Sequence, residues 1–435
     1  AQSPQLSEPE RQRYASAFTL FENGHHDRAM ALARPGKHAL ADKILTWLDL
    51  GRPESGYGFS EINGFIAANP GWPRLYSLYR NAEKVLPAQM TAAEVLAWFG
   101  ERLPITGTGA LRHAAALWDA GQQDRARMAA RQYWVTIDFD TDEETRFRNR
   151  LKSLLSADDE VARLDRLLWD RRTTAARRQI PRVPAGPAAV AQARLALMGN
   201  QPGVDGLIGR VPARLKDDPG LTHDRAVWRQ KRGRIEGVVE LLDSLPPNAP
   251  QAAAWWRLRS WVIWRALDRN DYALVYHMAR RHDHEEGLAF AEGEWMAGWM
   301  ALRFLKRPQE ALTHFTRLHD GVTSDISQSR GAFWAGEAAA ALGRSAEARA
   351  WYEKAAAFPA TFYGQLAGQR LGVERPLVMT ALPAMPQPKR DAFEAQERVR
   401  AFRLLGRLDQ PQLQNSFFAS LRQDAQDAFD PRLLL

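Results

Sequence analysis

The sequence predicts an all-α protein, a right-handed superhelical α-solenoid of stacked helix hairpins. Three observations carry this expectation. Apolar residues recur at helical spacing along the chain, and no long alternation rich in Val, Ile and Thr is present to build strands. One turn motif also recurs, with the spacing that a hairpin of packed helices requires.

The helical spacing is explicit in two early segments. Leu111, Ala114, Ala115 and Trp118 stand at i, i+3, i+4 and i+7, one face of a helix. Ala126, Ala129, Ala130, Tyr133 and Trp134 do the same over residues 124–134. The punctuation between such segments is short: Asn69-Pro70, Leu103-Pro104, Pro246-Pro247 and Lys306-Arg307-Pro308. Helices joined by short turns favour antiparallel hairpins.

The turn motif reads Gly24-His25-His26-Asp27-Arg28-Ala29, again Gly121-Gln122-Gln123-Asp124-Arg125-Ala126, and again Gly343-Arg344-Ser345-Ala346-Glu347-Ala348. Gly ends the first helix in the left-handed conformation, and a small Ala five residues on lets the second helix pack closely. Degenerate copies follow Gly233, Asn270, Pro308 and Gly406. Seven such turns indicate helix-pair repeats of irregular period, each burying its face against its neighbours. Two stretches interrupt the pattern. Residues 180–187 read as a bend between superhelical halves. Residues 373–390, with four prolines, read as a linker before a last helical unit at 391–430.

The composition is that of a globular protein. The 435 residues suggest roughly three domains at about 150 residues each. Apolar residues are 45% and charged residues 25%, which excludes a disordered or collagen-like chain. No apolar run is long enough to span a bilayer. The absence of cysteine removes disulfides, thiolate nucleophiles, iron–sulfur clusters and thiolate zinc sites. The start at Ala1-Gln2-Ser3, without Met, fits a mature exported chain whose signal peptide has been removed, and equally a trimmed one. The formal net charge is +8, and 50 of the 59 basic residues are Arg. A basic surface favours anionic partners. Codon bias in a GC-rich genome explains the Arg excess but not the net charge.

Chemistry is sparse. There is no GxxxxGK[ST], HExxH or GxSxG motif. His282-Asp283-His284-Glu285-Glu286 is the densest titratable cluster. It reads as a solvated turn, as does His25-His26, and no metal site is expected. Fifteen tryptophans fill seams between stacked helices or, on one face of a groove, stack against sugar rings. Arg163, Arg166, Arg171, Arg172, Arg177 and Arg178 read as a solvated face interspersed with Asp159, Glu160, Asp165 and Asp170, or as a grip for phosphate or carboxylate.

A family resemblance arises from blocks of residues in a fixed order. Ile62, Phe65 and Ile66 lead into Ala68-Asn69-Pro70-Gly71-Trp72-Pro73, then Leu75, Leu78 and Ala82-Glu83. Arg163-Leu164-Asp165-Arg166-Leu167-Leu168-Trp169 follows, then Asp218-Pro219-Gly220-Leu221, Asp224-Arg225-Ala226 and Trp228-Arg229. Next come Trp255-Trp256 with Arg259 and Arg265, Glu292, Glu294-Trp295, Gly298-Trp299 and Leu302-Arg303-Phe304. His314-Phe315, Ile326-Ser327, Arg330-Gly331, Trp334-Ala335-Gly336 and Thr361-Phe362-Tyr363-Gly364-Gln365-Leu366-Ala367 complete the set. Together they span residues 59–371, about 70% of the chain, and resemble the helical superhelix of the soluble lytic transglycosylases.

The resemblance implies a ring or horseshoe over residues 1–372 and a small helical linker domain within 373–435. In the family a lysozyme-like domain follows the linker and carries a catalytic Glu. Here the chain stops at Leu433-Leu434-Leu435, and the expectation is that this domain is absent. Glu54-Ser55 imitates the family's catalytic Glu-Ser pair. The family's Gly-Leu-Met-Gln stretch does not follow it, so no catalytic residue is assigned. The implied function is a non-catalytic scaffold for a peptidoglycan-cleaving enzyme in the periplasm. Its partners would be glycan strands, the catalytic domain and cell-wall proteins, with no cofactor, no metal and no transmembrane segment. Tyr363 and Gln365, late in the solenoid, are candidates for docking a downstream domain. The alternatives are a periplasmic helical-repeat adaptor without enzymatic activity and, more distantly, a nucleic-acid or anionic-polymer binder acting through the Arg-rich face.

Overall fold

The computed structural model describes residues 6–34, 38–373 and 386–428, with side chains through residue 422. Ala1-Gln2-Ser3, most of the expected 373–390 linker and the terminal Leu run lie outside the described residues. Among the described residues every regular element is a helix, as the sequence predicts, and no strand is present.

The chain divides into two compact units, Ala1–Asp159 with Ala381–Leu435, and Glu160–Thr380. Unit 1 opens with α1 (Glu8–Glu22), α2 (His26–Ala33), α3 (Ala39–Leu50), α4 (Phe59–Ala68), α5 (Leu75–Lys84), α6 (Ala92–Phe99), α7 (Gly107–Asp119), α8 (Gln123–Thr136) and α9 (Thr141–Leu151). Unit 2 holds α10 (Ala157–Trp169), α11 (Thr173–Gln179), α12 (Ala185–Met198), α13 (Val204–Gly209), α14 (Pro219–Gln230), α15 (Ile235–Asp243), α16 (Ala252–Asp268), α17 (Tyr272–Ala279), α18 (Gly287–Arg303), α19 (Pro308–Asp320), α20 (Asp325–Ala341), α21 (Ser345–Ala356) and α22 (Phe362–Leu371). The chain then returns to unit 1 with α23 (Gln387–Glu394), α24 (Glu397–Arg407) and α25 (Pro411–Ala428).

The turn motif works as the sequence predicts. Gly24, Gly121, Gly233 and Gly343 have φ of +81°, +77°, +66° and +73°. Five residues on, Ala29, Ala126, Val238 and Ala348 are buried against the partner helix. Arg171, Asn270 and Lys306 take the same left-handed position without glycine, at φ +59°, +58° and +55°, and Ala176, Val275 and Ala311 fill the buried place. Two expected turns need correction. Pro308 is the first residue of α19, where its missing N–H is harmless, and Lys306 makes the turn. Gly406 lies inside α24, and Asp409, φ +54°, ends that helix.

One helical face is also shifted. Of the expected Leu111, Ala114, Ala115 and Trp118, only Ala114 is buried on α7; Ala110, Ala116 and Leu117 are buried with it, and the other three are half-buried. At the start of α7 Glu83, fully buried, accepts from Ile105 N, Thr106 N and Thr106 Oγ1 at 2.8–3.0 Å. A Cβ on Gly109 would sit 2.2 Å from its Oε2, so only glycine lets α7 approach in this register.

In unit 2 the proline-rich stretch 180–187 forms a 3-10 turn, Ile180–Arg182, ahead of α12. The first helix of each hairpin carries a buried polar residue in a recurring position: Arg163, Arg194, Asp224, Arg259, Glu294 and Ser329, spaced 30–35 residues apart. Some of these join successive hairpins. Arg194 Nε donates to Asp224 Oδ2 at 2.8 Å, and Thr361, the N-cap of α22, donates to Ser329 Oγ at 2.8 Å. Beside that cap a Cβ on Gly364 would lie 2.0 Å from the Phe358 carbonyl oxygen. Gly364→Ala is therefore expected to displace the turn before α22 and lower stability by about 1–3 kcal/mol, read by urea denaturation.

Candidate functional site

Two groupings in unit 2 hold more chemistry than packing requires. The first centres on Glu294, in the middle of α18 and fully buried. A carboxylate only accepts, so both histidines donate to it: His282 Nε2 to Oε1 at 3.0 Å and His314 Nδ1 to Oε2 at 2.6 Å. Arg317 Nη1 lies 2.8 Å from Oε1. His282 stands in the loop before α18, and His314 and Arg317 are one turn apart on α19, so one carboxylate ties three segments together. Tyr276 of α17 donates to Glu310 Oε2 at 2.5 Å and lies 3.4 Å from His314 Nε2. Burial alone would raise the Glu294 carboxyl, but the histidine hydrogen bonds and the Arg317 charge outweigh it and hold the carboxyl at about 2. Such a group has no proton to give near neutrality, so it is a clamp and not a general acid. Among the described residues no group of His, Cys, Asp and Glu could hold a metal ion.

The second grouping lies on the half-exposed faces of α18 and α20. The Arg330 guanidinium sits over the Trp295 ring, 5.2 Å from its centroid. Trp295 stacks on Trp299 one turn along, with centroids 5.3 Å apart and planes 13° from parallel. Phe304 meets Trp299 edge-on at 5.5 Å and stacks on Tyr272 at 4.0 Å. The Arg330 Nε is buried without a hydrogen-bond partner. Burial depresses the guanidinium's affinity for its proton, opposed by Tyr363 and Glu292.

Tyr363 and Gln365 do not share a face. Tyr363 is half-buried against Phe333, centroids 5.6 Å apart, whereas Gln365 is exposed and reaches only Pro359 O at 3.4 Å. Glu54 is exposed in a turn. The 282–286 segment is a loop as expected, but not a solvated one throughout: His282 is buried because Glu294 needs its N–H. Arg163 likewise leaves the expected solvated Arg face for the core. Arg166 and Arg171 pair with Asp170 and Asp224. Trp47 and Trp134 lie in the core, as expected of tryptophans that fill seams, and Trp264 is 64% exposed.

The sequence contained Glu294 and Arg330 within matching blocks but gave neither a role. A signal for Glu294 was present: it is the lone acid on a face completed by Ala297, Gly298 and Ala301. Its partners, 12 and 20 residues away, carried no such signal.

No protein-family model matches the chain, and no curated protein matches it in sequence. Solved structures do match in fold. The 70 kDa soluble lytic transglycosylase of Escherichia coli aligns over 96% of this chain and 66% of its own, at 18% identity and a TM-score of 0.56. The same enzyme in complex with bulgecin A matches equally. An inactive mutant of the lytic transglycosylase Slt of Pseudomonas aeruginosa aligns over 91% of this chain and 63% of its own, at 16% identity and a TM-score of 0.59. The chain has the helical superhelix fold of these proteins and spans about two thirds of their length. Among the described residues no helix is long and apolar enough to cross a membrane.

Proposed function

We propose that this chain is the non-catalytic helical scaffold of a soluble lytic transglycosylase acting on peptidoglycan. The observation that supports the reading is the superhelical fold shared over 96% of the chain with the E. coli enzyme. On this reading the superhelix and the small helical unit near the C-terminus hold a lysozyme-like domain. That domain cleaves the MurNAc-GlcNAc bond and leaves a 1,6-anhydro product. The step is acid–base work by one glutamate and requires no metal or cofactor. The work is periplasmic, and the net charge of +8 suits anionic wall polymers. Tyr363 and Gln365 remain proposed contacts for the cleaving domain.

Two measurements test the reading. Intact mass of the native protein in its source cell is expected to exceed 49.0 kDa by one domain, roughly 100–200 residues. The purified chain is expected to co-sediment with peptidoglycan and to release no anhydro-muropeptide. A native species of 49.0 kDa would instead make the protein a helical-repeat adaptor.

A further inference from the structure

Arg330 differs from Arg194 and Arg259, two arginines buried on first helices of unit 2 and paired with acids. Arg194 faces Asp224 and Asp165, and Arg259 faces Asp283. Arg330 makes no ion pair and no hydrogen bond among the described residues, although it is half-buried and rests on Trp295. The acid whose charge reaches it is Glu292, exposed on α18, and Tyr363 is the other titratable neighbour. A cation partly stripped of water and left without an acceptor is expensive unless something outside the chain completes it. The cation–π contact with Trp295 offsets only part of that cost, about 0.5–2 kcal/mol.

The surroundings specify what would complete it. A guanidinium presents a planar fork that matches a carboxylate with two parallel hydrogen bonds. Next to the fork lie the parallel indoles of Trp295 and Trp299, half-exposed on the same helix and continued by Phe304, 38% exposed. Trp295 and Trp299 cover one face of each other and Arg330 lies over Trp295, so the half-exposed Trp299 is the aromatic surface beside the fork. Such a surface suits ligands with an apolar face, such as the CH face of a pyranose ring. A core role would need neither the charge nor the row, because an apolar side chain would pack on Trp295 without a desolvation cost.

We infer that Arg330, seated on Trp295, forms with Trp299 a binding subsite for an acidic saccharide, the sugar ring lying against Trp299 and its carboxylate on the Arg330 fork. The inference rests on the scaffold reading and deepens it: the superhelix itself grips the glycan, apart from any cleaving domain. Tyr363, half-buried near Arg330, borders the subsite on α22.

The test uses the full chain and two probes. One is a peptide-free soluble glycan of alternating N-acetylglucosamine and N-acetylmuramic acid, and the other is neutral tetra-N-acetylglucosamine. Calorimetric titration of the native chain, Arg330→Ala, Arg330→Lys and Trp299→Ala gives the affinities, with circular dichroism as the fold control. Arg330→Ala is expected to weaken the acidic glycan at least about tenfold, in line with the loss of a charge-assisted pair. The neutral probe should bind native protein and Arg330→Ala alike. Arg330→Lys should restore the acidic glycan only in part, because a point charge lacks the fork, and Trp299→Ala should weaken both probes. Equal affinity of the native chain and Arg330→Ala for the acidic glycan overturns the inference. If both still co-sediment with intact peptidoglycan, the scaffold reading survives that failure. If the native chain binds neither probe nor peptidoglycan, both readings fall.

Discussion

Replacing Glu294 with alanine should lower the stability of unit 2 by about 3–5 kcal/mol, the range for breaking a buried ion pair from one side. The loss arises at both ends of the contacts. The variant leaves the inner N–H groups of His282 and His314 without their acceptor in a site sealed from water. It also unties the 282–286 loop and α19 from α18. Hydrogen exchange should show the change as lost protection in α17, α18 and α19, with unit 1 unaffected. Glu294→Gln separates charge from shape, because the amide oxygen still accepts one bond. The native carboxyl is held at about 2, below its ordinary 4.5. A depressed folded-state value contributes stability that is complete above about 4.5 and is lost as pH falls toward about 2. That contribution is on the order of 3 kcal/mol at neutral pH. The native protein should therefore lose unit 2 stability across this window, and Glu294→Gln should lack that slope. A Gln variant with the same acid slope as the native chain would show that other carboxyls govern it.

The second large effect is expected at Phe417. Its ring on α25 is fully buried and lies 5.4 Å from Trp47 and 5.2 Å from Trp72, two indoles contributed by the opposite end of the chain. Around it Ala401, Leu404 and Leu405 of α24 share one core with Tyr14, Phe18, Ile44 and Ile66. Phe417→Ala should cost about 3–5 kcal/mol, because the aromatic trio cannot close around the void. The polar contacts beside it matter less. Glu397 Oε1 accepts from Lys43 Nζ at 2.6 Å and from Trp72 Nε1 at 3.1 Å, but its side chain is 37% exposed. Lys43→Met should therefore change stability by less than about 1 kcal/mol. Urea denaturation followed by tryptophan emission distinguishes the two. Equal, small effects would mean that the C-terminal helices are not part of the unit 1 core.

Local rules were enough to read the hairpins. A left-handed residue and a small partner five positions on leave a visible signature when the first is glycine, as at Gly121 and Ala126. The signature fades at Arg171 and Lys306, where packing imposes the left-handed conformation on residues that rarely choose it. It misleads at Gly406, since glycine is tolerated inside a helix and Asp409 turns the chain almost as easily. The pairing of the chain's ends was illegible for another reason. Lys43 and Glu397 are 354 residues apart, and no local pattern encodes a contact at that separation. The candidate site was half legible. Trp295, Trp299 and Arg330 stood out as residue types, yet only the packing of α18 on α20 shows that the arginine lacks an acid.

The discontinuity of unit 1 also sets a timetable for biosynthesis. Its first nine helices are complete at residue 159, but α24 and α25, which cover Trp47 and Trp72, are encoded after Glu160–Thr380. At roughly 5–20 residues per second a ribosome spends on the order of 10–45 s on those residues. Throughout that interval the nascent N-terminal helices carry an unfilled aromatic socket. Unit 2, contiguous in the chain, can complete its core before unit 1 does. The interval is a window in which a chaperone or a protease would find the N-terminal helices, and a slower ribosome would widen it.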